Sequence, residues 1–365
     1  MTTPKALANV LRATVFCALA ALPFSMPVAA QEVAIDFASH LGPSGPQMQV
    51  FKWWADEVKS RSEGRIEVVN FFYSQSLVKA PDQLAAAGDG RATIVWTTPS
   101  YNPSDMPLAT ITEIPFMTEN VVAWGRALEE LYATNADVKA EFDQRGVQLL
   151  FAPPVGGASI GAKMPITKLE DLEGMKIRAF GYLSQALAAA GASPTGMSGA
   201  EIYEAVKRGV LDAYSGVIFE VLGDLKLYEV GPHLTGVGMG AFSQGVFLMN
   251  KDIYDGLPDD LKAIIGEVSK EASLRSAAVM TEAETAVCDT ILAAGGTATL
   301  LPAAEVERWK EMLGDDILSN WIAEREARGL PAQAVADQWA ELVAEYEAET
   351  DYTSGVVQCA ERSPS

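Results

Sequence analysis

Four kinds of side chain in this sequence could do chemistry: a serine set between glycines, two histidines, two late cysteines and an arginine inside an apolar run. The serine is Ser159 in "GASIG", a formal G-x-S-x-G, and His233 and several aspartates come after it in the order a serine hydrolase would use. A nucleophile of that kind needs a strand, a tight turn and then a helix whose N-terminus helps hold the oxyanion. The next residues are "AKMPITKLEDLEG", and Pro165, four residues past Gly161, leaves no room for that helix to start. An exported hydrolase built on Ser159 therefore stands as the competing reading, not the leading one.

The histidines offer little. Only His40 and His233 exist, the cysteines are remote from both, and there is no H-E-x-x-H, C-x-x-C or EF-hand spacing, so no metal site is expected. "TGVGMGAF" contains G-x-G without a strand-turn-helix context, and no Walker pattern occurs, so no cofactor is expected either. His40 ends the first predicted strand, where it either lines a cleft or caps a turn. Arg178 differs in kind. In "GMKIRAF" it is the last polar residue of a strand, beside Ile177 and close to Phe180. A guanidinium placed there requires a partner, because a buried unpaired charge costs several kcal/mol. That partner is either an acidic residue of the same unit or a carboxylate from solution met by the planar fork of donors.

The surroundings limit the choice of partner. The chain has 365 residues, 48 Asp plus Glu against 27 Lys plus Arg, and a net charge of -21, which argues against nucleic acid. Lys5 and Arg12, the apolar "ATVFCALAALPF" and small Val28 and Ala30 read as a signal peptide spanning residues 1–30 and cleaved after Ala30, which implies a periplasmic protein. Pro23 and Pro27 keep that apolar run short of a membrane span, and Phe16 ahead of Cys17 disfavours lipidation. Cys288 and Cys359 remain after cleavage, either paired or as two free thiols.

The elements alternate. "VAIDFAS" reads as a strand, "QVFKWWADEVKSR" as a helix, "RIEVVNFFY" as a strand, "PDQLAAAGDG" as a short helix and "ATIVW" as a strand, which predicts a mostly parallel sheet with helices on its faces. A second unit starts near residue 154 with "MKIRAF", two helices and "VLDAYSG". "SQGVFLMN" is a further strand, and the Ala- and Glu-rich stretch from Pro258 to Ala294 predicts one long helix running beneath both units. Ligands of such folds lie at carboxyl ends of strands or between units.

In this order the chain resembles the substrate-binding proteins of tripartite ATP-independent periplasmic (TRAP) transporters, the dicarboxylate-binding family. The resemblance rests on "RIEVVNFFYSQSL", "LAAAGDGRATIVW", "EIPFM", "KLEDLEGMKIRAF", "GASPTGM", "EIYEAVKRGVLDA" and "FLMNKDIYDGLPDDLKAII", seven weak motifs in register over nearly the whole mature chain. It implies an α/β, two-lobed periplasmic-binding-protein fold, closing on its ligand between the lobes, with a long helix shared by both. The implied division is lobe I from residues 31–154 plus about 244–283, lobe II from 155–243 plus about 284–350, and a tail at 351–365.

The resemblance puts the carboxylate-binding arginine on Arg178, with Phe180 beside the ligand. It brings Trp96 to Tyr101 and the pair Tyr214 and Ser215 to the pocket, and His40 joins them from the end of the first strand. Two departures stand out: many relatives carry a second arginine where this chain has Gly157, and an asparagine where it has Gly216. One cation with aromatics such as Trp96, Tyr101, Phe180, Tyr182 and Tyr214 suits a monocarboxylate better than a dicarboxylate. The expectation is a monomeric, non-enzymatic protein that captures a small organic acid anion and delivers it to membrane permease subunits; a binding protein that feeds a sensor is a further alternative.

Overall fold

The computed structural model describes residues 32–197, 199–242 and 245–364, so the expected signal peptide and its cleavage site lie outside the described residues. Within them eleven strands form in chain order: β1 (Val33–Ser39), β2 (Ile66–Phe72), β3 (Ile94–Thr97), β4 (Val147–Phe151), β5 (Ser159–Ala162), β6 (Lys176–Arg178), β7 (Ser193–Thr195), β8 (Ala213–Tyr214), β9 (His233–Gly236), β10 (Val246–Asn250) and β11 (Thr297–Leu300). They build two sheets, β2-β1-β3-β10-β4 and β11-β9-β5-β8-β6-β7, one for each lobe of an α/β fold.

The sheets are mixed where the sequence predicted mostly parallel pairing. β1 runs parallel to β2 and β3, while β10 is antiparallel to both β3 and β4. In the second sheet β6 is parallel to β7 and β8, and β9 to β11, while β5 is antiparallel to β8 and β9. The reason is the chain path. β5 and β10 are the strands reached after the two crossings between the lobes, at 152–158 and from 237 onward, so each enters its sheet from the lobe junction and runs against its neighbours.

Local sequence explains the elements that carry the junction. Helix Pro46–Arg61 has proline in its first turn, Lys59 and Arg61 in its last, and Met48, Phe51, Trp54 and Val58 buried on one face. Phe51 stacks on Phe37 of β1 with ring centroids 3.9 Å apart. The long helix is continuous over 35 residues, Asp259–Ala293, about 52 Å at ~1.5 Å per residue. Its first half packs on the first lobe, where Trp54 Nε1 donates to Ser269 Oγ at 2.9 Å. Its second half belongs to the second lobe, where Cys288 is bonded to Cys359 of the terminal helix Gly355–Arg362. The sequence left that pairing open.

The C-terminal helices depart from the expected division. Trp309 of helix Ala303–Leu313 donates to the Ala186 carbonyl of the second lobe at 2.9 Å. Helix Asp316–Glu326 instead reaches the first lobe, with Trp321 Nε1 donating to Thr110 Oγ1 at 3.0 Å. Helix Ala332–Glu349 lies along Val121–Thr134 and joins it through Arg126 and Glu349 at 2.8 Å. An acidic helix face gives no clue to which lobe its apolar side will cover.

Several buried acids make stability depend on pH, Glu284 among them. Glu284 of the long helix is 1% exposed, and burial, then the nearby Glu220 carboxyl, raises its pKa from 4.5 to about 8 against the opposing hydrogen bond from the Tyr352 hydroxyl. Between those values the folded protein holds a proton that the unfolded chain has lost. Its contribution is therefore complete below about pH 4.5 and drains away as pH rises toward 8, by about 1.4 kcal/mol per pH unit at most. Denaturant unfolding should show falling stability from pH 5 to 8, with a shallower slope in Glu284→Gln.

Candidate functional site

Arg178 ends β6 at 7% exposure. Its Nε donates to the Met197 carbonyl at 3.1 Å, and its Nη1 donates to the carbonyls of Ser215, at 3.2 Å, and Gly216. The guanidinium carbon lies 4.6 Å from the centroid of the Phe180 ring, a cation–π contact. Among the described residues no carboxylate pairs with it. Burial without a counter-charge lowers its pKa to about 10, so it stays cationic at neutral pH.

Arg325 shows what a structural buried arginine looks like in the same chain. At 5% exposure its three nitrogens are held by the carbonyls of Pro107 and Trp321, by Thr110 Oγ1 and by the Tyr182 hydroxyl. Arg178 is instead oriented by carbonyls and opens on a cavity of about 150 Å³ between the lobes. The first lobe supplies His40, Trp96, Thr98 and Tyr101; the second supplies Phe180 and the apolar Val217, Ile218, Val221 and Leu225; the crossings add Val155 and Phe242. Arg178 is the one formally charged side chain among the described lining residues.

Two glycines make room for this arrangement. Gly216 has φ +66°, which turns its carbonyl toward Arg178, and a Cβ there would stand 3.1 Å from Nη1. A Cβ at Gly245 would fall 1.8 Å from the Trp96 ring, so only glycine leaves room for the indole beside the start of β10. The lobes are joined next to the cavity by Glu220, which accepts from Gln47 Nε2 at 2.5 Å and from the Gly156 amide at 3.0 Å. Burial raises the pKa of Glu220.

A lone desolvated cation in a cleft between two α/β lobes is the geometry of a receptor for a small anion. The family model described as "Bacterial extracellular solute-binding protein, family 7" matches residues 37–322. The chain belongs to this family.

Its similarity to particular members is moderate. The family 7 protein is 28% identical to the ectoine-binding periplasmic protein TeaA of Halomonas elongata over 61% of this chain and 64% of the other. It is 27% identical to TsaT of Comamonas testosteroni, described as an outer membrane transporter protein, over 87% and 94%. Among solved structures, a TRAP solute-binding protein from Rhodoferax ferrireducens in complex with copurified benzoate has TM-score 0.77 and 26% identity over 87% of this chain and 99% of its own. A marine metagenome TRAP solute-binding protein specific for aromatic acid ligands, in complex with metahydroxyphenylacetate, has TM-score 0.77 and 27% identity over 87% and 100%. The fold is thus that of the two-lobed TRAP solute-binding proteins, and no helix of the described residues is long and apolar enough to cross a membrane.

Of the residues singled out from the sequence, Arg178, Phe180, Trp96, Tyr101 and His40 line this cavity together. Tyr214 and Ser215 do not. Tyr214 is 1% exposed, packed against Gly161 with its hydroxyl donating to the Gly231 carbonyl at 3.1 Å. Side chains alternate along a strand, and this one faces the core of the second lobe. Ser215 Oγ donates to the Ser159 carbonyl at 2.9 Å, and the residue meets Arg178 through its backbone, its carbonyl accepting from Nη1 and its amide donating to the Arg178 carbonyl at 2.9 Å. Tyr182 is spent on Arg325, and Gly157 packs against the Gly240 carbonyl. Sequence reasoning missed the apolar wall from Val217 to Leu225 and Phe242, which carries no motif.

The hydrolase reading fails on geometry. Ser159 lies within β5 opposite Gly236, three positions from His233, which pairs with Ala162 and whose Nδ1 is 2.8 Å from Thr297 Oγ1. The Ser159 hydroxyl is buried without a partner among the described residues. No cluster of three potential metal ligands occurs among the described residues.

Proposed function

We propose that this TRAP solute-binding protein captures a small aromatic monocarboxylate in the periplasm and delivers it, as a monomer, to the membrane permease subunits of its transporter. The supporting observation is the single buried cation in a small cavity otherwise walled by aromatic and aliphatic side chains. At about 150 Å³ the cavity lies below the roughly 300–1,000 Å³ usual for ligand pockets, which suits one ring and one carboxylate. A second carboxylate would meet Val217, Val221 or Phe242 and lose its water without a partner. The benzoate and aromatic acids held by the two similar structures agree with that reading.

In this mechanism Arg178, already stripped of water and fixed by three carbonyls, receives the ligand carboxylate in charge-assisted hydrogen bonds. Trp96 and Tyr101 approach from the other lobe, and closure desolvates the pair and covers the ring. No covalent step is involved, because the serine that could begin one has no base beside it. The segments centred on the two sheets act as the moving lobes.

A thermal-shift panel tests the substrate class. Benzoate, 3-hydroxybenzoate and phenylacetate should raise the unfolding temperature, with a ligand at ~100 times its Kd adding about 2.7 kcal/mol of stability. Succinate, malate and ectoine should not. Stabilisation by the dicarboxylates and none by the aromatic acids would overturn the proposal.

A further inference from the structure

His40 is a polar ring on the first-lobe side of the cavity whose chemistry the carboxylate anchor leaves unused. It stands at the end of β1, lines the cavity and meets Tyr101 edge to face with centroids 5.4 Å apart. The Gln83 amide takes the His40 backbone N–H at 2.7 Å, while Nδ1 of the ring is buried and, among the described residues, has no hydrogen-bond partner. A buried polar atom left unmatched in this way costs free energy unless a ligand completes it.

The protonation state decides what Nδ1 can accept. Burial lowers the His40 pKa to about 4, so the imidazole is neutral at periplasmic pH. A neutral ring with its proton on Nε2 presents a lone pair at Nδ1. A lone pair repels a carboxylate and attracts an O–H or N–H. His40 is thus unsuited to be a second anion-binding group.

We propose that His40 Nδ1 accepts a hydrogen bond from a ring hydroxyl of the ligand, so that the protein selects hydroxylated aromatic acids over their unsubstituted parents. Arg178 and His40 come from different lobes and face one cavity, so a ligand bearing a carboxylate at one end and a hydroxyl at the other touches both lobes with polar groups. His40 then acts as a specificity residue and contributes to closure only when that hydroxyl is present. The inference rests on the aromatic-acid reading of the site given above.

Calorimetric titration of the purified protein with benzoate, 3-hydroxybenzoate, 4-hydroxybenzoate, phenylacetate and 3-hydroxyphenylacetate tests it. At least one hydroxylated acid should bind about tenfold or more tightly than its parent. His40→Leu should bring that ratio to about one. His40→Asn, whose amide oxygen can stand near the Nδ1 position, should restore part of the preference. A native ratio near one for every pair, or a ratio that survives in His40→Leu, overturns the proposal for His40 and leaves the aromatic-acid reading standing. Binding of none of these acids overturns both.

Discussion

Arg178→Ala is expected to abolish the stabilisation by aromatic acids and to weaken their binding by about a hundredfold or more. The magnitude comes from removing one member of a buried, hydrogen-bonded charge pair, which costs about 2–5 kcal/mol or more because the other charge is left desolvated and unpaired. In this cavity no other charged side chain stands among the described lining residues to take over. Arg178→Lys keeps the charge but loses the planar fork and its bonds to Met197, Ser215 and Gly216 together, so it should retain only a fraction of the affinity. Thermal shift and calorimetry against benzoate measure both variants. Undiminished binding in the alanine variant would show that the anchor lies elsewhere.

The second large effect concerns stability. Cys288 and Cys359 close a loop with a sequence separation of 71, for which chain-entropy arguments give about 4 kcal/mol. The bridge holds the short helix Gly355–Arg362 against the long helix, together with buried Val356. The double substitution of Cys288 and Cys359 by serine should lower the unfolding free energy by about that amount in denaturant titrations. Adding a reductant should bring the native protein to the same value and leave the variant unchanged. A difference below about 1 kcal/mol would show that the terminal helix is held by packing alone.

The path from sequence to fold was legible where local pattern and burial coincide. "VAIDFAS" is β1 from end to end, and the apolar spacing after Pro258 becomes one helix through Gly266. It was obscure where pairing depends on the other lobe. "GASIG" holds a strand, not a turn, because its partners β8 and β9 lie more than fifty residues away, and the direction of β5 is imposed by the crossing before it. For the cavity, Arg178 was visible because a cation inside an apolar strand demands a partner. Trp96, Tyr101 and Phe180 are placed near it by the family resemblance. Tyr214 could not be separated from them, since only the pairing of β8 with β5 shows that its ring packs over Gly161. Val217, Val221 and Phe242 resemble any core residue until the second lobe faces the first.

Closure offers a further reason to regard Arg178 as poised and not merely structural. Gln47, Glu220 and Gly156 join the lobes at one place and Arg325 with Tyr182 at another, each through hydrogen bonds between protein groups. The ligand carboxylate would supply the corresponding match for Arg178. The negative surface and the cationic cavity are therefore separate properties of the protein: most acidic side chains of the described residues are exposed or half-buried, while the cavity has one positive group among its described lining residues.

The most direct test of that claim is a crystal structure of the protein with benzoate. The predicted result is a carboxylate within about 3 Å of the Arg178 guanidinium nitrogens, with the ring between Phe180 of one lobe and Trp96 and Tyr101 of the other. A benzoate whose carboxylate lies away from Arg178, or whose ring sits outside the cavity between the lobes, would contradict it.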